Sequence, residues 1–385
     1  MKKKLPRARN AATAAQDEPP AGEAVPRRKL PLIGEHSRVA GPKYILWEVS
    51  RACPIGCQDC RHSALPPGSP GDLSTEQAVK LLDNVSAAYK TRIHFTGPEP
   101  LVRPDIFDLA EYARQRGLEV VFCTNAMGYD AKVARRLVEV RVKEIQISLD
   151  GASGRSHDSF RRVQAGFVQA IKGLDLVRLS GIRFSITATL TKQNVEELPK
   201  MLNLSRKLGA QMLTLFFNVP TGRGRALASD PLDNATYMQW LNWIFEQQFL
   251  YRYPIQVVCS PQFERIYRER AAELPDELNP LRQGQENLLG RYGCLAAKDF
   301  CFIGADGTVF PCPYLLEPAG NVLEKSFAQL WQKSQPFETL RDTHHLGGKC
   351  GICKFADLCT GCRALARAAT NDFMAADPVC EYQPG

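Results

Sequence analysis

The chain has 385 residues, of which 44% are hydrophobic and 23% are charged. That length allows one large catalytic domain and a smaller one, and the balance is ordinary for a globular protein. No apolar run reaches the roughly 18 residues of a membrane-spanning helix, and the basic start has no apolar segment typical of a secretory signal. These features exclude a membrane protein, and we expect a cytoplasmic one.

The net charge of +8 is concentrated at one end of the chain. Residues 1–43 contain ten Lys and Arg against four Asp and Glu, and they are rich in Pro and Ala without apolar periodicity. This composition predicts a disordered basic tail over 1–43. Because the rest of the chain is nearly neutral, we expect neither nucleic acid nor a membrane as a partner.

Residues 44–229 alternate short β-branched runs with amphipathic stretches. This alternation predicts an α/β domain with a parallel sheet, either doubly wound or a partial barrel, with its reactive groups at the carboxyl ends of the strands. The predicted strands are Tyr44–Val49, Arg92–Phe95, Glu119–Cys123, Glu144–Leu149, Arg183–Thr189 and Met212–Phe217. The predicted helices are Thr75–Tyr89, Asp105–Gln115, Ala131–Glu139, Gln164–Leu179 and Val195–Leu208, the first of them capped by Ser74.

Two further regions follow this domain. Residues 230–290 are predicted to form a bridging helical segment with one short strand, Ile255–Val258. Over 291–385 the sequence consists of short runs separated by Gly, Pro and Cys residues, and a hairpin turn is predicted at Asp306-Gly307. That composition predicts a small cysteine-rich domain held together by metal rather than by a broad apolar core.

The thirteen cysteines are the strongest compositional signal. An odd number without an export signal argues against a disulfide framework and favours metal ligation. The first three follow the first strand with the spacing Cys53-x3-Cys57-x2-Cys60. Three thiolates on a four-iron cluster leave one iron open to bind another molecule, whereas a structural zinc site normally needs four protein ligands.

This triplet resembles the signature of the radical S-adenosylmethionine (SAM) superfamily. The resemblance implies a partial (β/α)6 barrel, a [4Fe-4S] cluster that binds SAM, and cleavage of SAM to a 5′-deoxyadenosyl radical, with the protein binding, orienting and shielding. Two positions depart from the family pattern, Asp59 in place of an aromatic residue and Pro98 in place of a glycine, and both affect the geometry of SAM binding. The residues that the resemblance places near SAM are Gly97, Pro98, Glu99, Asn125, Ser148 and Arg161.

Eight cysteines lie in the C-terminal region and would suffice for two four-iron clusters or equally for two zinc sites. Beside the first triplet, their pattern resembles the SPASM extension, which implies one or two auxiliary [4Fe-4S] clusters. Carried over by position, Cys294, Cys301, Cys312 and Cys362 would hold one cluster, and Cys350, Cys353, Cys359 and Cys380 the other. Cys123 and Cys259 are predicted to be buried small residues, although Cys259, between a strand and a helix, could also face the cavity.

Further segments resemble the branch of the family that modifies tetrapyrroles in the siroheme-dependent heme pathway and in heme d1 biosynthesis. They are Val219–Gly224, Cys259–Pro261, Gly293–Ala296, Cys301–Ile303, Cys359–Ala364 and Asp377–Cys380. The resemblance implies oxidative decarboxylation or removal of propionate side chains, with an auxiliary cluster accepting the electron and a ferredoxin or flavodoxin as donor. Candidate propionate partners are Arg223, Arg225, Arg265 and Arg268, and a weaker candidate contact to the porphyrin iron is His62 or His94.

Two alternatives remain open at this point. The same segments resemble, more loosely, maturases of ribosomally made peptides such as the mycofactocin precursor, but residues 1–43 show no strand-like element for binding a peptide. The other alternative is a non-catalytic zinc- or cluster-binding regulator, which Asp59 and Pro98 suggest. The intact cysteine triplet and Glu99 argue against it.

Overall fold

The computed structural model describes residues 39–274 and 293–384. Most of the predicted basic tail and residues 275–290 of the predicted bridging segment lie outside the described residues. Within the described ranges, Ala40 onward forms one compact unit.

A ten-stranded sheet runs through this unit in the order β10-β9-β8-β1-β2-β3-β4-β5-β6-β7. All neighbours from β8 through β1 to β7 are parallel, and β9 and β10 extend the edge in antiparallel fashion. The strands are Tyr44–Glu48 (β1), Arg92–Thr96 (β2), Glu119–Thr124 (β3), Glu144–Ser148 (β4), Phe184–Leu190 (β5), Leu213–Phe217 (β6), Ile255–Val258 (β7), Phe300–Ile303 (β8), Thr308–Phe310 (β9) and Gly320–Asn321 (β10).

Helices connect the parallel strands and cover the sheet, as the parallel pairing requires. The α-helices are Thr75–Ala88 (α1), Ile106–Gln115 (α2), Ala131–Glu139 (α3), Gly154–Arg161 (α4), Gly166–Ser180 (α5), Leu198–Leu208 (α6), Asn234–Tyr251 (α7), Gln262–Ala271 (α8), Phe327–Lys333 (α9), Gln335–Arg341 (α10), Gly348–Gly351 (α11), Ala356–Cys359 (α12) and Arg363–Thr370 (α13). Short 3-10 turns lie at Pro100–Val102, Val195–Glu197, Gly222–Ser229 and Thr343–His345.

Local sequence signals account for much of this architecture. The capping box at the start of α1 is confirmed, because the Gln77 N–H donates to the Ser74 hydroxyl (3.3 Å) and the Ser74 N–H donates to the Gln77 side chain (3.0 Å). The hairpin turn predicted at Asp306-Gly307 joins β8 to β9, and Gly307 adopts the positive φ of +84° that such turns favour. The six predicted strands are β1–β6.

The sheet is larger than the six strands predicted for the barrel. The strand predicted within the bridging segment is β7, which pairs with β6 as a seventh parallel strand. The C-terminal region also contributes: β8 pairs in parallel with β1 on its other side, with Cys301 opposite Ile45. Because this strand continues the main sheet, the region after residue 291 shares the core of the barrel. No helix among the described residues is long and apolar enough to span a membrane.

Candidate active site

The first three cysteines lie in the loop that leaves the carboxyl end of β1. A hydrogen bond from the Cys53 N–H to the Leu65 carbonyl closes this loop (2.9 Å). Amide donors reach two of the sulfurs, since Asn125 Nδ2 lies 3.6 Å from Cys53 Sγ and the Ala64 nitrogen lies 3.5 Å from Cys60 Sγ. Donors of this kind favour the thiolate, which is the form that binds iron.

The loop after β6 is hydrogen-bonded to the cysteine loop. The Arg223 N–H donates to the Cys60 carbonyl (3.0 Å), and its guanidinium donates to the carbonyls of Cys57 (3.0 Å) and Ala64 (3.2 Å). The sequence offered Arg223 as a propionate partner. In the structure its Nε and Nη1 donate to two of these carbonyls, and its buried Nη2 has no partner among the described residues. Its role in the structure is to hold the cysteine loop.

Replacing Arg223 with alanine should therefore weaken the cysteine loop while leaving the fold intact. The two hydrogen bonds from the charged guanidinium are lost, while the backbone N–H bond to Cys60 remains, and each lost bond contributes about 1.5–3 kcal/mol. We expect the variant to lose iron to a chelator several-fold faster than the wild type, measured by absorbance after anaerobic reconstitution. Arg225→Ala, an exposed position on the same loop, is the control. Equal rates in both variants would contradict this role.

Glu99 lies at the carboxyl end of β2, fully buried and bonded to three donors. Its carboxylate accepts from the Thr124 hydroxyl (2.7 Å), the Asn125 N–H (2.8 Å) and the Leu101 N–H (3.1 Å). Burial raises the pKa of Glu99 to about 7, although these bonds lower it. A buried carboxylate with remaining acceptor capacity is suited to a ligand ammonium group.

Gly97 lets the chain turn towards this carboxylate. Its φ is +155°, and a Cβ at this position would lie 2.6 Å from the Ser50 carbonyl oxygen, so any other residue would push β1 and β2 apart at the site. Pro98, the departure from the family pattern, is half-buried between Gly97 and Glu99.

A buried ion pair lies at the carboxyl ends of β4 and β5. Arg161 Nε donates to Asp150 (2.6 Å), and Asp150 also accepts from the Thr189 N–H (2.7 Å). Burial and the charge of Asp150 raise the pKa of Asp59, and the charge of Arg161 lowers it. Asp59 therefore lies beside this pair rather than in solvent, and Ser148 ends β4 just before it.

One set of four C-terminal cysteines converges as predicted. Cys350, Cys353, Cys359 and Cys380 line one cavity together with Gln262 and Asp377. Backbone N–H groups donate to two of the sulfurs, from Asp377 to Cys350 (3.4 Å) and from Phe355 to Cys353 (3.4 Å).

The other predicted set is only partly brought together. The Cys294 N–H donates to the Cys359 carbonyl (3.0 Å), which places Cys294 beside the loop that carries Cys362. The fourth member of this set, Cys301, was expected to be a ligand of the same cluster. Cys301 lies within β8, fully buried in the apolar core.

Among the described residues, no group of three or more His, Cys, Asp or Glu side chains is arranged for a single metal ion. A four-iron cluster is larger than one ion, so its thiolate ligands stand farther apart. Cysteines grouped in threes and fours, with amide donors to their sulfurs, fit such clusters.

Comparison with known proteins agrees with this geometry. The model of the radical SAM superfamily matches residues 47–205, and that of an iron–sulfur cluster-binding domain, SPASM, matches residues 294–363. The AdoMet-dependent heme synthase of Methanosarcina barkeri is 37% identical over 89% of this chain and 97% of its own length. The chain belongs to the radical SAM family.

Other relatives extend the match across the family. The AdoMet-dependent heme synthase of Nitratidesulfovibrio vulgaris is 34% identical over 91% of this chain and 98% of its own length. The mycofactocin maturase of Mycobacterium tuberculosis is 29% identical over 91% and 85%. The structure of native anSMEcpe with bound AdoMet shares the fold, with a TM-score of 0.68, 18% identity, and coverage of 89% of this chain and 94% of that one. This radical SAM enzyme accordingly uses a [4Fe-4S] cluster, SAM and auxiliary iron–sulfur clusters.

The raised pKa of Glu99 predicts that SAM affinity of this radical SAM enzyme depends on pH. Below pH 7 the carboxyl is mostly protonated and cannot pair with the SAM ammonium, so affinity should rise about tenfold from pH 6 to pH 8. Calorimetric titration at both pH values, compared with Glu99→Gln, separates this effect from ionisation of SAM itself. The exposed Glu111→Gln variant is the control. Identical profiles for wild type and Glu99→Gln would contradict the assignment.

Two of the other arginines offered as propionate partners form ion pairs within the chain, whereas Arg225 is exposed. Arg265 pairs with Glu269 (2.5 Å) and Arg268 pairs with Glu264 (2.5 Å), both along α8. The sequence analysis missed Arg61, which follows directly after the third cysteine of the loop. Its position next to Cys60 was the available signal, but the aromatic rings that surround it come from distant parts of the chain.

Proposed function

We propose that this radical SAM enzyme oxidatively decarboxylates propionate side chains of an iron tetrapyrrole. The observation that carries the proposal is the environment of Arg61. The heme synthase relatives named above, which match nearly the whole chain, support the same substrate class.

Arg61 lies beside the SAM-binding loop, with two of its guanidinium nitrogens unpaired among the described residues. It lies 5.6 Å from the ring centre of Phe302 and 5.7 Å from that of Tyr314. Its Nε and Nη2 atoms are buried and have no hydrogen-bond partner among the described residues. A buried donor without a partner is costly, and these two nitrogens form the fork that binds a carboxylate through both oxygens. A propionate carboxylate would satisfy them.

His62 adds a contact suited to the iron of the substrate. Its Nδ1 lies 2.6 Å from Glu48, and its buried Nε2 has no partner among the described residues. A carboxylate that accepts from Nδ1 fixes the tautomer whose Nε2 carries a lone pair, the usual arrangement of a metal-binding histidine. His94 has no such carboxylate at its Nδ1, which lies 3.8 Å from Cys123 Sγ, so we favour His62.

The roles of the chain in this reaction follow from these positions. Cys53, Cys57 and Cys60 would hold the SAM-binding cluster, which together with SAM would supply the radical that abstracts one hydrogen atom from the propionate β-carbon. Loss of carbon dioxide would then leave a vinyl group and one electron, for which an oxidised auxiliary cluster would be the acceptor. Arg61 holds a propionate, His62 orients the macrocycle, and Phe302 and Tyr314 exclude water around the guanidinium. A ferredoxin or flavodoxin as electron donor and a cytoplasmic location stay predictions.

The test is a product assay with the reconstituted enzyme, SAM and dithionite under anaerobic conditions. Iron-coproporphyrin, didecarboxysiroheme and the mycofactocin precursor peptide are supplied separately, and products are identified by mass spectrometry. We expect conversion of propionate to vinyl groups on a tetrapyrrole and no change to the peptide. Modification of the peptide alone would overturn the proposal in favour of the maturase alternative, and SAM cleavage with no tetrapyrrole product would also contradict it.

A further inference from the structure

One cysteine outside the C-terminal region stands at the carboxyl end of a barrel strand. Cys259 lies directly after β7, with a φ of +63°, a left-handed conformation that is unusual for a residue other than glycine. Strained backbone of this kind is often found at functional sites, where it fixes the direction of a side chain towards a ligand. The conformation turns the chain out of the strand at the carboxyl edge of the sheet.

A buried hydrogen-bonded chain connects the loop after Cys259 to the loop that carries Cys362. The Ser260 hydroxyl is bonded to that of Tyr237, which donates to the Gln262 side chain (3.2 Å). Gln262 donates to Asp377 (2.8 Å), and the same carboxylate oxygen accepts from the Cys362 N–H (2.5 Å). The two loops are therefore held next to each other by buried polar groups.

Hydrogen bonds between loops bring another cysteine to the same place. The Cys294 N–H donates to the Cys359 carbonyl (3.0 Å), three residues before Cys362. Cys259 itself stands three residues before Gln262, which shares the Asp377 carboxylate oxygen with the Cys362 N–H. Cys259 and Cys312 are both partly buried and pack against the same apolar core.

The alternation of side chains along β8 directs Cys301 away from this space. The Phe300 ring stacks on Tyr44 with 5.1 Å between centres, and Phe302 lies 5.6 Å from the Arg61 guanidinium, so both phenylalanines face the cavity. Cys301 stands between them and points to the opposite face. There it is in register with Ile45 of β1 and lies fully buried in the apolar core.

We infer that Cys259, and not Cys301, is the fourth ligand of the auxiliary cluster held by Cys294, Cys312 and Cys362. The barrel then contributes a ligand to the cluster of the C-terminal region. This fixes the cluster at the carboxyl edge of the sheet, on the same side as Arg61. The inference rests on the presence of an auxiliary cluster and does not depend on which substrate the enzyme uses.

The test compares Cys259→Ala with Cys301→Ala after anaerobic reconstitution. Iron and sulfide are quantified, and electron paramagnetic resonance spectra are recorded on the oxidised and on the reduced proteins. We expect Cys259→Ala to lose about four irons per chain, or to show a three-iron signal, while Cys301→Ala matches the wild type. Retained SAM binding shows that each variant is folded.

A conservative variant covers the case in which Cys259→Ala fails to fold. Cys259→Ser keeps the size of the side chain and replaces the sulfur with an oxygen, so we expect a shifted spectrum or reduced iron content. Unchanged iron content and spectra in the folded Cys259 variants would overturn the inference. Loss of the cluster from folded Cys301→Ala would overturn it as well.

Discussion

Replacing Cys57 with alanine is expected to abolish SAM cleavage while the auxiliary clusters remain. The four-iron cluster needs three thiolates from the loop, and the variant has only two. The iron content should therefore fall by about four atoms per chain. The C-terminal cysteines lie in other loops, so the auxiliary clusters keep their ligands. We expect 5′-deoxyadenosine formation to fall below detection, measured by chromatography after incubation with dithionite.

Cys123→Ala is the matched control for this prediction. Cys123 is a half-buried thiol outside the cysteine loop, and its sulfur lies 3.3 Å from Gln146 and 3.8 Å from His94. Its replacement should reduce the free energy of unfolding by about 1 kcal/mol and leave iron content and SAM cleavage near wild-type values. Equal loss of activity in the two variants would show that Cys57 has no special role.

Replacing Arg61 with glutamine is expected to weaken tetrapyrrole binding strongly. Truncating one partner of a buried charge pair costs about 2–5 kcal/mol, and about 2 kcal/mol corresponds to a loss of affinity of roughly 30-fold. Titration of iron-coproporphyrin, followed by its absorbance, gives the dissociation constant. SAM cleavage without a tetrapyrrole should continue, because Arg61 is not a cluster ligand.

Arg225→Gln provides the comparison, since Arg225 is exposed on the loop after β6. Iron content is measured in both variants, because Arg61 adjoins Cys60 and a disturbed cluster would mimic weak binding. An Arg61→Gln variant with full iron content and unchanged affinity for iron-coproporphyrin would contradict the proposed propionate contact.

Much of the fold follows from local sequence signals. Strands β1–β6 and the helices between them repeat every few tens of residues, and the periodicity of each segment is visible without any partner. The pairing of β8 with β1 is different, because it joins residues about 250 positions apart in a strand of only four residues. Nothing in so short a run indicates which edge it will join.

The residues of the site also differ in whether the local sequence or the assembled fold identifies them. Cysteine spacing predicts the triplet, and the resemblance to the SPASM extension implies the set around Cys350, three of whose members lie close together in sequence. Cys259 and Cys301 cannot be distinguished in that way. The choice between them depends on the direction of side chains along β8 and on the conformation after β7, which only the assembled sheet determines.

The proposed chemistry is tested most directly by following a hydrogen atom. Iron-coproporphyrin deuterated at the β-carbons of its propionates is incubated with the reconstituted enzyme, SAM and dithionite, and the 5′-deoxyadenosine formed is analysed by mass spectrometry. We predict deuterium in 5′-deoxyadenosine, with release of carbon dioxide and formation of vinyl groups in step with it. 5′-Deoxyadenosine that stays free of deuterium while the tetrapyrrole is bound would contradict the account.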